Sequence, residues 1–140
     1  MNFNHLIKQV KTIDNPPLKH ISSVGILPND GGIIAGFPEC VLSFDDTNFR
    51  LHEFDGIFKP TYQGEVHTFL FSEIKEIEMG KYNFKDNYIK ITFKDDKFIA
   101  FSYLFNVRKY KEQKENILRF ILKLESISKV ETSESPKKET

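Results

Sequence analysis

Tryptophan is absent from this chain and cysteine is nearly so, with Cys40 alone. A single thiol allows no internal disulfide, which excludes a cystine-stapled scaffold and suits a reducing compartment; Cys40 itself reads as a small buried hydrophobe. Long apolar runs are missing as well. No stretch approaches the roughly 20 residues needed to cross a bilayer as a helix. The first residues, Met1-Asn2-Phe3-Asn4-His5-Leu6-Ile7-Lys8, lack the basic start and apolar stretch of a secretory leader. Together these absences predict a cytoplasmic protein without a membrane span. Net charge is missing too, since 20 basic and 20 acidic residues cancel, but the cancellation is not local. From Glu39 to Glu78 there are 9 acidic and 3 basic residues (3 − 9 = −6), and from Lys81 to Lys123 there are 5 acidic and 11 basic (11 − 5 = +6). Either the fold has two electrical faces, or strands from the two blocks interleave and their charges pair.

What is present points to one packed domain. A chain of 140 residues with 14 Phe has enough apolar mass for a core without a metal or a staple. Leu6, Ile7, Val10 and Ile13 recur at helical spacing before the stop Asp14-Asn15-Pro16-Pro17, predicting a short first helix. Residues 18–36 read as loop with at most one short strand, around the turn Pro28-Asn29-Asp30-Gly31-Gly32. Extended chain is expected from Gly32 to Phe37, Cys40 to Phe44 and Asn48 to Phe54, the last two joined by a turn at Asp45-Asp46. Residues 55–65 read as a loop, Val66 to Phe71 as a strand, and Ser72 to Met79 fits either a helical turn or a bent strand. Tyr88 to Phe93 and Phe98 to Tyr103 form the clearest hairpin. From Val107 to Ser126 the period becomes helical, with Asn106 as N-cap and Ile117, Leu118, Ile121, Leu122 and Leu124 as the apolar stripe. The organisation predicted is a helix-and-loop extension over 1–31, a mainly β domain over 32–126 and a disordered polar tail over 127–140.

Several antiparallel strands followed by one amphipathic helix is the layout of pleckstrin-homology-like domains. Two stretches carry the resemblance further. Asn48-Phe49-Arg50-Leu51-His52-Glu53-Phe54 is similar to the strand of bacterial PH-like and GRAM-like domains in which an Arg-Leu pair sits late. Thr68-Phe69-Leu70-Phe71-Ser72-Glu73-Ile74-Lys75-Glu76-Ile77 resembles their aromatic-Ser-acidic-Ile segment. The resemblance covers residues 32–124 and implies a bent antiparallel sheet or partly open barrel capped by the last helix. Phosphoinositide-binding members carry a basic cluster in the loop between their first two strands. The turn matched to it here, Asp45-Asp46-Thr47-Asn48, is acidic, which argues against that activity.

Catalytic chemistry finds little footing. A cysteine nucleophile needs a nearby base, and His5, His20, His52 and His67 all lie far from Cys40 in sequence. His52 and His67 sit on strands that a hairpin could align, with Glu53 or Glu65 as further metal ligands, but no close-spaced ligand pair supports a site. Gly31-Gly32 lacks the lysine and helix of a phosphate loop, and the pairs Asp45-Asp46 and Asp95-Asp96 suit turn geometry. The sequence therefore predicts no enzyme, no cofactor and no metal.

A recognition surface is the stronger expectation. If Asp95-Asp96 is a two-residue turn, cross-strand partners sum to 191, and Ile89, Ile91, Phe93, Phe98 and Ala100 face inward. Tyr88, Lys90, Lys94, Lys97, Phe101 and Tyr103 then form an outer basic-aromatic face. Such a face suits nucleic acid, anionic lipid or an acidic protein segment, unless the first helix covers its aromatics. If it does not bind, Arg108, Lys109 and Lys111 offer a second basic cluster. The leading functional reading is a binding module that takes a protein partner on a strand edge or apolar groove. The other is an anion binder acting through the late basic block.

Overall fold

The computed structural model describes residues 3–13, 16–27, 31–34, 38–56 and 59–127, and the backbone of 130–133. Helix α1 (Phe3–Thr12) precedes strands β1 (His20–Ile26), β2 (Glu39–Phe44), β3 (Asn48–Asp55) and β4 (Thr61–Leu70). A single 3-10 turn (Phe71–Glu73) leads to β5 (Ile74–Lys81), β6 (Asn87–Phe93) and β7 (Phe98–Tyr103), then helix α2 (Gln113–Ile127) and β8 (Val130–Ser133). The strands form one open sheet in the order β4-β3-β2-β1-β7-β6-β5-β8. Every pairing from β4 to β5 is antiparallel, whereas β8 joins β5 in parallel.

The bend that turns this sheet into a partly open barrel is made by β1. Residues His20 to Gly25 pair with β2, while Gly25 and Ile26 pair with Ser102 and Phe101 of β7. Along Ile21 and Ser23, β1 has therefore left β7 and needs other hydrogen-bond partners. Helix α2 and the turn before it supply them. The buried Gln113 amide accepts from the Ser23 N–H (2.8 Å) and donates to the Ser23 carbonyl (2.9 Å) and the Leu104 carbonyl (2.9 Å). Asn116 Nδ2 and the Tyr110 hydroxyl both donate to the Ile21 carbonyl at 2.8 Å. Below this polar seam Ile117, Phe120 and Leu124 enter the core, and the Phe120 ring lies 5.2 Å from Phe44 and 5.5 Å from Phe49.

A second cluster lies outside the barrel. Phe3, Leu6, Ile7 and Val10 of α1 pack on Val41, Phe54 and Tyr62, the outer face of β2, β3 and β4. Gln9 fixes the register: its Oε1 accepts from the Tyr62 N–H (2.9 Å) and its Nε2 donates to the Pro60 carbonyl (3.1 Å).

The mainly β architecture with a closing C-terminal helix agrees with the sequence, and several boundaries do not. Strand β1, the one short strand for which the reading of 18–36 left room, is the hinge of the sheet, so the structured unit begins before residue 32. The expected strand from Gly32 is absent over 31–34, and residues 35–37 lie outside the described residues. The 55–65 loop shrinks because β4 starts at Thr61. Helix α2 starts at Gln113 rather than Val107, because Val107 and Tyr110 close a turn in which Lys109 takes a left-handed φ of 61°. Its buried stripe is Gln113, Ile117, Phe120 and Leu124, while Leu118 and Leu122 are exposed. Within the tail predicted over 127–140, Val130 to Ser133 pairs with β5 through backbone groups that polar composition does not remove. Residues 134–140 lie outside the described residues.

Candidate functional site

The face expected to bind anions is divided by the real geometry of the β6–β7 hairpin. Thr92 pairs with Phe98, Lys90 with Ala100 and Ile89 with Phe101, so partners sum to 190 instead of 191. The Phe93 N–H donates to the Lys97 carbonyl (2.8 Å) across a three-residue turn, in which Asp96 adopts φ 70° and its N–H bonds the Phe93 carbonyl (2.8 Å). A one-residue slip reverses the faces of the paired strand. Phe101 and Tyr103 therefore point into the core, with Phe101 fully buried, and Phe98, Ala100 and Ser102 share the outer face with Tyr88 and Lys90. Alternating bulk carried this signal: Ile99, Phe101 and Tyr103 are large, while Ala100 and Ser102 are small.

The basic character is diluted too. Lys90 stands over the Phe98 ring (4.6 Å) but faces Glu78 across the strand pair, and the Tyr88 hydroxyl bonds the Glu78 carboxylate. Lys94 and Lys97 sit in the turn, where Asp96 is already engaged by Lys75 at 2.6 Å. The acidic and basic blocks thus interleave at β5–β6. Helix α1 covers none of this surface, because it packs on the other half of the sheet.

Nor do the histidines gather. His52 is fully buried beneath α1, with Nδ1 3.3 Å from the Tyr62 hydroxyl and Nε2 without a partner. Burial, helped by the Arg50 charge, lowers its pKa to about 4. His67 instead meets Glu53 at 3.1 Å. Since His52 pairs with Val66 and Leu51 with His67, the two rings lie on opposite faces of the sheet and cannot share a metal. Among the described residues no three His, Cys, Asp or Glu side chains form a cluster suited to a metal. Cys40 is buried, and burial together with Glu53 and Glu39 pushes its thiol pKa well up. The acidic turns are structural: Asp45 Oδ1 accepts from the Thr47 and Asn48 N–H groups at 3.0 and 2.9 Å, which lowers its pKa.

The site that sequence reading missed lies beside β4. This ten-residue strand ends the sheet order, and beyond the stretch engaged by Gln9 no described strand pairs with its outer edge. At its C-terminal half it borders a cleft of about 410 Å³. Phe69, Phe93, Ile33 and Leu70 supply apolar walls, and Glu73 and Lys97 stand on the rim. The floor is rigid, because Phe69 stacks between Phe49 (5.0 Å) and Phe93 (4.9 Å, interplanar 11°). Leu70 remains 48% exposed at the mouth. The sequence cue was the apolar run Phe69-Leu70-Phe71, in which Leu70 breaks the period-2 alternation and stays exposed.

Seven antiparallel strands in the order β4-β3-β2-β1-β7-β6-β5, bent at β1 and closed by one C-terminal helix, decide the fold. The fold is PH-like. Among solved structures, the hSac2 domain from human phosphoinositide phosphatase Sac2 matches with a TM-score of 0.51 and 12% identity, covering 96% of this chain and 91% of that one. The pleckstrin homology domain of USP37 (15% identity, 79% of this chain and 95% of that one) and the Spt16D Pob3N heterodimer (15%, 84% and 56%) are similar at a TM-score of 0.47 each. No protein-family model matches the chain, and neither does any curated protein. With β1 in place, the residues between the first two strands of this PH-like fold are 27–38, not the Asp45 turn. They include no lysine or arginine. Among the described residues no helix is long and apolar enough to cross a membrane.

Proposed function

We propose that this domain is a non-catalytic module that binds a protein partner by adding an extended segment of that partner to the outer edge of β4. The observation that carries the reading is an open strand edge running directly into an apolar, aromatic-floored cleft. Strand addition draws affinity from main-chain hydrogen bonds and specificity from pockets that take alternate side chains. The β4 edge offers the first and the Phe69–Phe93 cleft the second. The preferred partner is a strand-forming segment with apolar residues at alternate positions. A buried, strongly protonated Cys40 and dispersed histidines support the non-catalytic part of the reading. The affiliation with bacterial PH-like or GRAM-like proteins rests on the Arg50-Leu51 and Phe71-to-Ile77 stretches. The anion-binding alternative loses Phe101 and Tyr103 to the core, and its Lys90 is opposed by Glu78.

Selection of displayed random decapeptides on the folded domain supplies the test ligand. A selected peptide should slow amide exchange from Val66 to Leu70 and shift the ring signals of Phe69 and Phe93. Leu70→Lys should weaken it at least about tenfold, as expected for loss of a central apolar contact. Binding that leaves β4 exchange unchanged refutes strand addition.

A further inference from the structure

At the other end of the barrel the β5–β6 turn presents an aromatic that the fold does not use. Phe84 is fully exposed (102%), and Tyr82 beside it is half-exposed. The turn is not a loose loop. Asn83 Oδ1 accepts from the Lys85 and Asp86 N–H groups (2.8 and 2.7 Å), Asn83 Nδ2 donates to the Asp86 carboxylate (2.9 Å), and the Tyr82 N–H donates to the Asp86 carbonyl (2.9 Å). Phe84 is thus held away from the body of the protein on an ordered tip, where its ring gains nothing from packing, although burying a Phe side chain is normally worth about 1.5–3 kcal/mol.

The surroundings of the tip indicate what would receive it. Asn87 pairs with Tyr103, so residues 82–86 and 104–111 leave the same end of the sheet, and Asp86, Leu104 and Val107 line one shared depression. The second loop is also fixed, by Asn4 Nδ2 donating to the Lys109 carbonyl (3.0 Å) and by the Phe3–Tyr110 ring contact (4.8 Å). Lys81, Lys85, Arg108, Lys109 and Lys111 are exposed there against Asp86, Glu112 and Glu39, which lines the same depression (5 − 3 = +2). Leu104 adds a further exposed apolar group. A convex aromatic tip ringed by cations is a poor shape for a groove-binding peptide but suits the interface of an anionic bilayer. Aromatic rings settle at headgroup level, and each nearby Lys or Arg is attracted to acidic headgroups within a Debye length.

We propose that this end of the domain docks on membranes carrying acidic lipids, with Phe84 inserted into the interface and Lys81, Lys85 and the 108–111 cluster on the headgroups. This surface is separate from the β4 cleft. The cleft adjoins Phe93, at the far end of seven-residue β6, about 20 Å from the tip, so both are open to occupation at once.

The lack of tryptophan makes the test direct, because Phe84→Trp creates the sole indole of the chain. With vesicles of phosphatidylcholine and phosphatidylserine at low salt, the indole emission of this variant should shift to the blue and be quenched by brominated acyl chains. With phosphatidylcholine alone it should stay water-like. Phe84→Ser and the double variant Lys81→Glu/Lys85→Glu, both on exposed positions and expected to fold, should each lower vesicle partitioning about tenfold. Leu70→Lys, which disables the peptide site, should leave partitioning unchanged. Indole emission that stays water-like at saturating anionic lipid overturns the proposal, as does sedimentation with vesicles that Phe84→Ser does not reduce. An emission shift with single-stranded nucleic acid but not with vesicles overturns it as well.

Discussion

Acidification should loosen the contact between α1 and the sheet through one residue. His52 is neutral and buried in the native state, with its pKa lowered to about 4 from an ordinary 6.5 by burial and by Arg50. In the unfolded chain the ring regains its ordinary pKa, so below pH 6.5 the unfolded state takes up a proton that the native state refuses. The stabilisation is therefore complete above pH 6.5 and is lost as pH falls toward 4. Two-state linkage with these two values gives a loss of about 2 kcal/mol between pH 7 and pH 5, rising to about 3 kcal/mol at pH 4. That is a large share of the stability of a small domain, typically about 5–15 kcal/mol. Urea unfolding of the wild type and of His52→Gln at pH 7 and pH 5 isolates the effect. His20 also has a lowered pKa, through burial and the Arg119 and Lys19 charges, but it titrates in both proteins and cancels from the difference. The wild type should lose about 2 kcal/mol more than the variant over this interval, whatever the variant's stability at pH 7. Equal losses in the two proteins would refute the assignment of this acid sensitivity to His52.

Four further perturbations test the fold. Phe120→Ala empties the centre of a ring cluster with Phe44, Phe49, Phe71 and Phe101 and should cost about 3–5 kcal/mol in urea unfolding. Leu122→Ala, on the exposed side of the same helix, should change stability by less than about 1 kcal/mol. Gly56→Ala should destabilise by about 1–3 kcal/mol, because φ is 106° and a Cβ would lie 2.9 Å from the Lys59 carbonyl oxygen; an unchanged melting temperature would contradict this. Deleting residues 130–140 should leave the fold intact by circular dichroism, yet speed amide exchange at Ile77–Gly80, which pair with β8, and not at the centre of β6.

What could be read from the sequence was set by local pattern. Period-2 alternation located β2, β3, β6 and β7, and Leu6, Ile7 and Val10 located α1. The place of strand β1 within 18–36 escaped because His20-Ile21-Ser22-Ser23-Val24-Gly25-Ile26 is half polar, and its polar edge is satisfied by Tyr110 and α2 side chains, a tertiary arrangement that no window reveals. The hairpin register failed on a single dihedral: Asp96 in a left-handed conformation turned an assumed two-residue turn into a three-residue one. That one residue moved Phe101 and Tyr103 from the supposed binding face into the core. Helix α2 begins later than the pattern suggested because Lys109 takes a left-handed φ in the turn closed by Val107 and Tyr110, a conformation that no local pattern marks at a lysine. The cleft beside β4 depends on which strand ends the sheet, and this follows from the path of β1, not from residues 61–70.

The parallel strand β8 has a consequence for assembly. An open sheet has two edges, and a protein with two long, flat edges can stack copies without limit, the route to fibres. Here one end of the strand order is the ten-residue β4, and the other is a four-residue strand laid on β5 by the chain itself. So short a terminus is a poor template for another chain. Association through the proposed strand addition would thereby be directional and self-terminating: among the described residues, a segment that joins β4 finds no equivalent long edge across the molecule on which growth can continue.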